Sequence, residues 1–306
     1  MITIRYAVSY VRNFRHLKEV DEIILTYDGT GNLIEFINNT FNKSQRIILD
    51  ISDIREPGLN NAVPAINLLK HEGWNVALKI NFNQKIDAEL DETIPFFFNK
   101  FPKNMEEVYI QAAAGVSDIY ITESLGFNMK ALKRIKEQFN VKFRVFPNIA
   151  QSSSDPDKAI PAMQKFWIRP EDTELYEDYI DVFELLGGED QSRLSVVYEI
   201  YKQRQWLGNL NDLILDFGKD PIVNNKGVNP RFGLMRIDCN KSCLENRCHL
   251  CTEMATLADL FTEVGIEVIK KRQKPEYTEE EKQTILNRLK GAEDGSKADE
   301  ETLSTE

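Results

Sequence analysis

Short β-branched or aromatic runs return along this chain with amphipathic segments between them, and that alternation limits the fold more than any other feature. Eight runs occupy residues 2–185: "ITIRYAVS" (2–9), "EIILTY" (22–27), "RIILDI" (46–51), "NVALKIN" (75–81), "DIYIT" (118–122), "KFRVFP" (142–147), "KFWIR" (165–169) and "DVFEL" (181–185). Between them, "LIEFINNTF" (33–41), "VPAINLLKHEG" (63–73) and "NMKALKRIKEQF" (128–139) carry apolar residues at i, i+3 and i+4, the pattern of a one-sided helix. Gly73 stands where a helix C′ glycine belongs. Eight strand–helix units over residues 1–207 predict an α/β fold of the (β/α)8 TIM-like barrel type. An open doubly wound sheet is the rival, but no G-x-G-x-x-G follows the first run, and "DGTGN" (28–32) is neither that loop nor a Walker loop.

Beyond the eighth run the pattern changes. "SRLSVVYEIYKQRQ" (192–205) reads as a long helix, and the stretch after it is broken repeatedly by Gly and Pro. Residues 208–275 are expected to form a cysteine-rich metal-binding extension with a helical stretch at 251–265, residues 276–291 a helix opened by a Thr278 to Glu281 capping box, and residues 292–306 a disordered acidic tail. Six acids against Lys297 put five of the eleven net negative charges in that tail. The remaining body is still acidic, which argues against broad binding to a nucleic-acid backbone. Arg5, Arg12 and Arg15 interrupt the first residues, and no stretch reaches 18 uncharged apolar residues, so a cytoplasmic protein with no membrane span is expected.

All four cysteines, Cys239, Cys243, Cys248 and Cys251, fall in "DCNKSCLENRCHLC" (238–251), spaced C-x3-C-x4-C-x2-C. In a reducing compartment clustered thiols point to a metal or redox centre rather than to structural disulfides. A zinc ribbon separates two C-x2-C knuckles by a long spacer, whereas here four residues lie between the second and third cysteines. The tight spacing suits a 4Fe–4S cluster, with structural Zn and redox-active thiols as the alternatives. Lys241 and Arg247 favour the thiolate form, and His249 is read as a bystander.

In a barrel the substrate meets the loops after the strand C-termini. Reading just past each run gives Asp28, Asp53, Arg55, Asn81, Glu123, Asn148, Arg169, Glu171 and Glu184, a mouth that is polar on nearly every side. The bland alternative for each is a loop cap or a surface ion pair. Phe96, Phe97, Phe98, Trp167 and Trp206 are expected in the core. None of the three histidines, His16, His71 and His249, follows a strand, which disfavours a histidine-dependent peptidase.

Three segments carry a resemblance to a known family: "VDEIILTYDG" (20–29), "GVSDIYITESLGFNMKALKRI" (115–135) and "KFWIRPEDTELYEDYIDVFELLGGEDQSRLSVVYEIYKQ" (165–203). Together they resemble the peptidase U32 family, over roughly residues 2–205. The resemblance implies a (β/α)8 barrel. Several members carry a four-cysteine iron–sulfur cluster and serve in anaerobic hydroxylation of tRNA, rRNA or quinone precursors; others are called collagenase-like peptidases. This chain differs from the pattern in having no cysteine in 147–164 and no arginine after Glu184. The expected function is a redox or modifying enzyme with an unidentified substrate and electron donor, with Glu184 and Arg169 as its catalytic residues because they lie in the most similar portion. The alternatives are a non-catalytic ligand- or partner-binding barrel with a structural zinc, and a U32-like hydrolase using mouth carboxylates.

Overall fold

The computed structural model describes residues 5–9, 16–27, 29, 32–54, 56–84, 86, 89–122, 125, 128–150, 166–187, 191–216, 225, 228 and 232–237. All of them belong to the first of two compact units, residues 1–259. The cysteine segment, the two helices expected after it and the acidic tail lie outside the described residues.

Eight strands form one parallel sheet: β1 (Arg5–Ser9), β2 (Glu22–Thr26), β3 (Arg46–Asp50), β4 (Asn75–Ile80), β5 (Phe96–Phe98), β6 (Asp118–Tyr120), β7 (Lys142–Val145) and β8 (Val182–Leu185). Their order is β5-β4-β3-β2-β1-β8-β7-β6. The fold is therefore α/β with a parallel sheet, but the hydrogen-bonded ladder stops at β5 and β6 rather than running round a closed barrel. These two strands have three residues each, and the Ser117 N–H donates to the Phe96 carbonyl at 2.9 Å between them. Helices α1 (Leu33–Thr40), α2 (Glu56–His71), α3 (Met105–Ala113), α4 (Met129–Gln138) and α5 (Gln191–Gln203) connect or follow the strands.

The strand count matches the sequence reading, with one exchange. Phe96–Phe98 is a strand, although three residues are too few to show a period. The "KFWIR" run is not. Pro170 starts a 3-10 turn, Pro170–Tyr176, directly after it, and the Ile168 N–H donates to the Pro147 carbonyl at 2.9 Å beyond the end of β7. Its aromatic content comes instead from packing: Phe166, Trp167 and Ile168 are all buried.

Side-chain oxygens cap three helices as the sequence allows. Asn32, Asn104 and Asn128 each accept a backbone N–H from the third residue on, satisfying one donor that the first helical turn leaves free. Gly73 takes φ +84° after α2, where its N–H donates to the Lys70 carbonyl and that of Trp74 to the Leu69 carbonyl. Two apolar clusters result. Ile23, Leu25, Ile47, Leu49, Val76 and Leu78 pack outward with helix residues such as Ile37 and Ile66, whereas Ile24, Ile48, Ala77, Phe97 and Tyr120 belong to a second cluster with Val145 and Phe183.

Two short helices, α6 (Leu210–Leu213) and α7 (Phe232–Ile237), follow α5. Leu215 bridges in parallel to Ile149: its N–H donates to the Asn148 carbonyl at 2.8 Å, and the Ala150 N–H returns to Leu215 at 2.7 Å. Gly233 of α7 lies so near Asp172 that a Cβ there would be 2.5 Å from the carboxyl carbon. Among the described residues no helix is long and apolar enough to cross a membrane.

Candidate functional site at the inner face of the sheet

Side chains alternate across a strand, so residues two apart share a face. In β2, Glu22 and Ile24 share one face; in β3, Arg46, Ile48 and Asp50 share the same one. A parallel sheet covered on both sides buries that face, and a buried charge must be paired. The pairing is dense. Arg46 Nη1 donates to Glu22 at 2.9 Å, and Arg46 donates to both oxygens of Asp118 at 2.8 and 2.7 Å. Arg144 donates to Glu22, to Asp118 at 3.2 Å, and through Nη1 to Glu184 at 2.7 Å. The Tyr120 hydroxyl donates to the same Glu184 oxygen at 2.9 Å. All six residues are buried.

Register explains part of this. Glu22 sits beside Arg46, and Tyr120 beside Arg144, as cross-strand neighbours. Burial pushes the Asp118 carboxyl up, but the Arg46 and Arg144 charges and their hydrogen bonds outweigh it and hold Asp118 well below the usual carboxylate range. Burial and the Glu184 charge push Tyr120 well above the ordinary tyrosine range, so the phenol stays a donor. Desolvation pulls Arg144 down, yet the surrounding carboxylates leave it above its ordinary value. The guanidinium of Arg144 also lies 4.7 Å from the Phe97 ring centroid and 5.6 Å from that of Tyr120.

Toward the strand C-termini the network opens. Asp50 and Lys79 are register neighbours whose charged groups meet at 3.1 Å. Asp50 also accepts from the Ser52 N–H at 3.1 Å and the Ser52 hydroxyl at 2.6 Å, and Asn99 Nδ2 reaches Ser52 Oγ at 3.2 Å. Lys79 Nζ stands 5.6 Å from the Tyr120 ring centroid. Tyr120 stacks on Phe146, with Phe101 against both at 5.1 and 6.0 Å. Lys79 and Asp50 keep 12% and 16% of their side-chain surface exposed. A fixed ammonium–carboxylate pair beside an aromatic wall can orient a polar group and pass a proton to or from it.

The residues named from sequence fall into separate places. Glu184 lies in the buried network. Arg169 is also buried, with Nε and Nη2 donating to the two oxygens of Asp172 at 2.6 and 2.9 Å. Glu171 approaches Arg169 at 3.9 Å and accepts from Asn225 Nδ2. The two do not pair with each other: Glu184 is held by Arg144, and Arg169 by Asp172. Asn148 is a structural clamp: its amide gives to the Leu186 carbonyl at 2.6 Å and takes the Leu186 N–H at 3.0 Å. Asn81 caps its own loop, accepting from the Asn83 N–H at 3.3 Å, and Asp53 is exposed. Asp28, Arg55, Glu123, Cys239, Cys243, Cys248 and Cys251 lie outside the described residues.

Glu22, Arg46, Asp50, Lys79, Asp118, Tyr120 and Arg144 escape a reading that looks only past strand ends. Their signal is present: each is a polar residue inside a strand of an otherwise apolar, doubly covered sheet. For metal ligation, His16, Glu19 and Glu199 offer ligand atoms within 4.8 Å of one another, but Lys202 already donates to Glu19 at 2.6 Å.

No protein-family model matches the sequence, and no curated protein matches it. Among solved structures the chain is similar to the U32 peptidase Mk0906, with a TM-score of 0.38 and 13% identity over 62% of this chain and 95% of that one. The likeness is distant and confined to the fold.

Proposed function

We propose that the chain is a (β/α)8 TIM-like barrel enzyme resembling the U32 hydroxylation factors, modifying a nucleic-acid or small-molecule substrate at the strand ends and carrying a 4Fe–4S cluster on Cys239, Cys243, Cys248 and Cys251. The observation that carries this reading is the anchoring of the chain just before its cysteines. Helix α7 ends at Ile237, two residues ahead of Cys239. Arg236 holds it: Nη1 donates to the Trp167 carbonyl at 3.0 Å, and the guanidinium lies 4.9 Å from the Trp167 ring centroid. Four thiols match the ligand number and softness that an iron–sulfur cluster requires. Such a cluster supplies one-electron chemistry when bound.

The chain's own residues would do the rest. Lys79 and Asp50 bind and orient the polar end of the substrate against the Tyr120, Phe101 and Phe146 wall. Glu184 acts through Tyr120 and Arg144 as a positioning residue. Arg169 and Glu171, together with Asp28, Asp53, Arg55, Asn81, Glu123 and Asn148, complete the set of candidate site residues, and the four segments bounded at 207, 275 and 291 are the proposed domain division.

Elemental analysis of anoxically purified protein tests the reading. Iron and acid-labile sulfide in equal amounts, a brown colour, and loss of both in Cys248→Ser are expected. A colourless protein holding one zinc, also lost in Cys248→Ser, would overturn it in favour of a binding barrel with a structural metal.

A further inference from the structure

A cleft of about 440 Å³, whose lining does not include Asp50, Lys79 or Tyr120, is bounded by the Pro170–Tyr176 turn, the chain after α5, and residues 225 and 228. Leu175, Trp206, Leu207 and Val228 give it an apolar wall. Its polar groups are unequal. Among the described residues Arg169 is the one lining cation, and it is committed: two of its nitrogens bond Asp172, and Nη1 points to the Val228 carbonyl at 3.5 Å. The outer carboxylates are held more loosely: Glu171, a third exposed, takes Asn225 Nδ2 on Oε1 and stands 3.9 Å from Arg169, and Glu174, mostly exposed, stands 3.9 Å from Arg204.

Asn225 supplies the decisive observation. It lines the cleft, only 3% of its surface is accessible, and its Oδ1 is buried without a hydrogen-bond partner. Exchanging its amide oxygen and nitrogen would not repair this. Nδ2 donates to two acceptors, Glu171 Oε1 and the Trp206 carbonyl, so the exchange would set oxygen against oxygen twice. A buried carbonyl left unmatched costs free energy that a ligand N–H can recover.

We propose that this cleft binds a guanidinium or amidinium group, with the flat cation donating to Asn225 Oδ1 and Glu171 and its apolar body lying along Trp206 and Leu175. Carboxylate acceptors match the planar donor fork of such a cation, and an indole face favours it further. The group can come from a free small molecule or from an arginine side chain of a peptide. Arg169 and Glu171 also stand in the candidate set above, but binding in this cleft requires neither a substrate at Asp50 and Lys79 nor a metal on the cysteines.

Trp206 is a built-in reporter, since the other two tryptophans, Trp74 and Trp167, are buried at 3% and 1% exposure. Titration of the full chain with benzamidine and with N-acetylargininamide, followed by tryptophan fluorescence and by calorimetry, should give saturable binding of at least one. Benzamidine alone binding points to a free small molecule; the arginine derivative binding as tightly or more tightly points to a peptide side chain. Glu171→Gln, at an exposed position that leaves folding intact by circular dichroism, should weaken binding about tenfold. Trp206→Phe should abolish the fluorescence change and weaken the binding that calorimetry reads. Saturation by neither probe, or equal affinity in Glu171→Gln, would overturn the proposal.

Discussion

Arg46, at the first position of β3, closes a two-pronged ion pair with Asp118, at the first position of β6, although β2, β1, β8 and β7 all lie between their strands in the ladder. The sheet must curl strongly for the two to touch. With Glu22, Arg144 and Glu184 they bring five charged groups into a space that in most sheets of this kind is filled by branched aliphatic residues.

Removing one partner should therefore cost far more than a surface ion pair. Asp118→Asn leaves Arg46 and Arg144 short of a counter-charge in a buried site, and a loss of about 3–5 kcal/mol is expected. Urea unfolding followed by circular dichroism measures it, and a loss below about 1 kcal/mol, the range of exposed pairs, would contradict the account.

The same residue sets an acid limit. The folded-state pKa of Asp118 is depressed below its ordinary 3.8, so its contribution is complete above about pH 5 and is lost as pH falls through 4 toward the folded value. Stability curves between pH 6 and pH 2 should fall below about pH 4 in the parent chain, by up to about 1.4 kcal/mol per pH unit for each proton taken up. In Asp118→Asn the fall should be shallower. Identical slopes would remove Asp118 from the acid response.

At the alkaline end Tyr120 moves the other way. Its raised pKa means that the folded state holds the phenol proton, so that contribution is present below about pH 10 and is lost as pH rises toward the folded value. Tyr198, pushed up by burial to about 12 against the opposing pull of Lys202, behaves alike. Of the ten tyrosines, fewer than ten should ionise by phenolate absorbance before the chain unfolds. Tyr120→Phe, which takes one donor from Glu184, should destabilise by about 1–3 kcal/mol. Full ionisation in the folded chain would refute the burial argument.

Gly233→Ala offers a test by sign. Alanine inside an exposed helix ordinarily gains about 0.5–1 kcal/mol over glycine. Here its Cβ would meet the Asp172 carboxylate at 2.5–2.7 Å and disturb the Arg169–Asp172 pair, so a net loss of about 1–3 kcal/mol is expected. Thermal unfolding decides it, and a stabilised variant would show that α7 and the Pro170–Tyr176 turn can part without cost.

Strand positions, the outward apolar residues and the amphipathic helices were legible in the sequence because they are set by local pattern. Ile47 and Leu49, or Leu132 and Ile135, declare a buried face within a few residues. The glycine after α2 is equally local. The cysteine spacing is local too, and so is the polar character of the strand ends. The inner face was not legible. In a doubly covered parallel strand both faces are apolar, so "EIILT" and "RIILD" give no sign of which alternate side chains turn inward. The "KFWIR" run shows the same limit, since it has strand composition yet passes at Pro170 into a 3-10 turn.

The sequence by itself determined that short strands and their helices would form an α/β body. Only the tertiary structure decided which charges meet: Glu22 with Arg144 across 122 positions, Arg46 with Asp118 across 72. Those encounters depend on the register and curl of the whole sheet, and no window of sequence contains both partners.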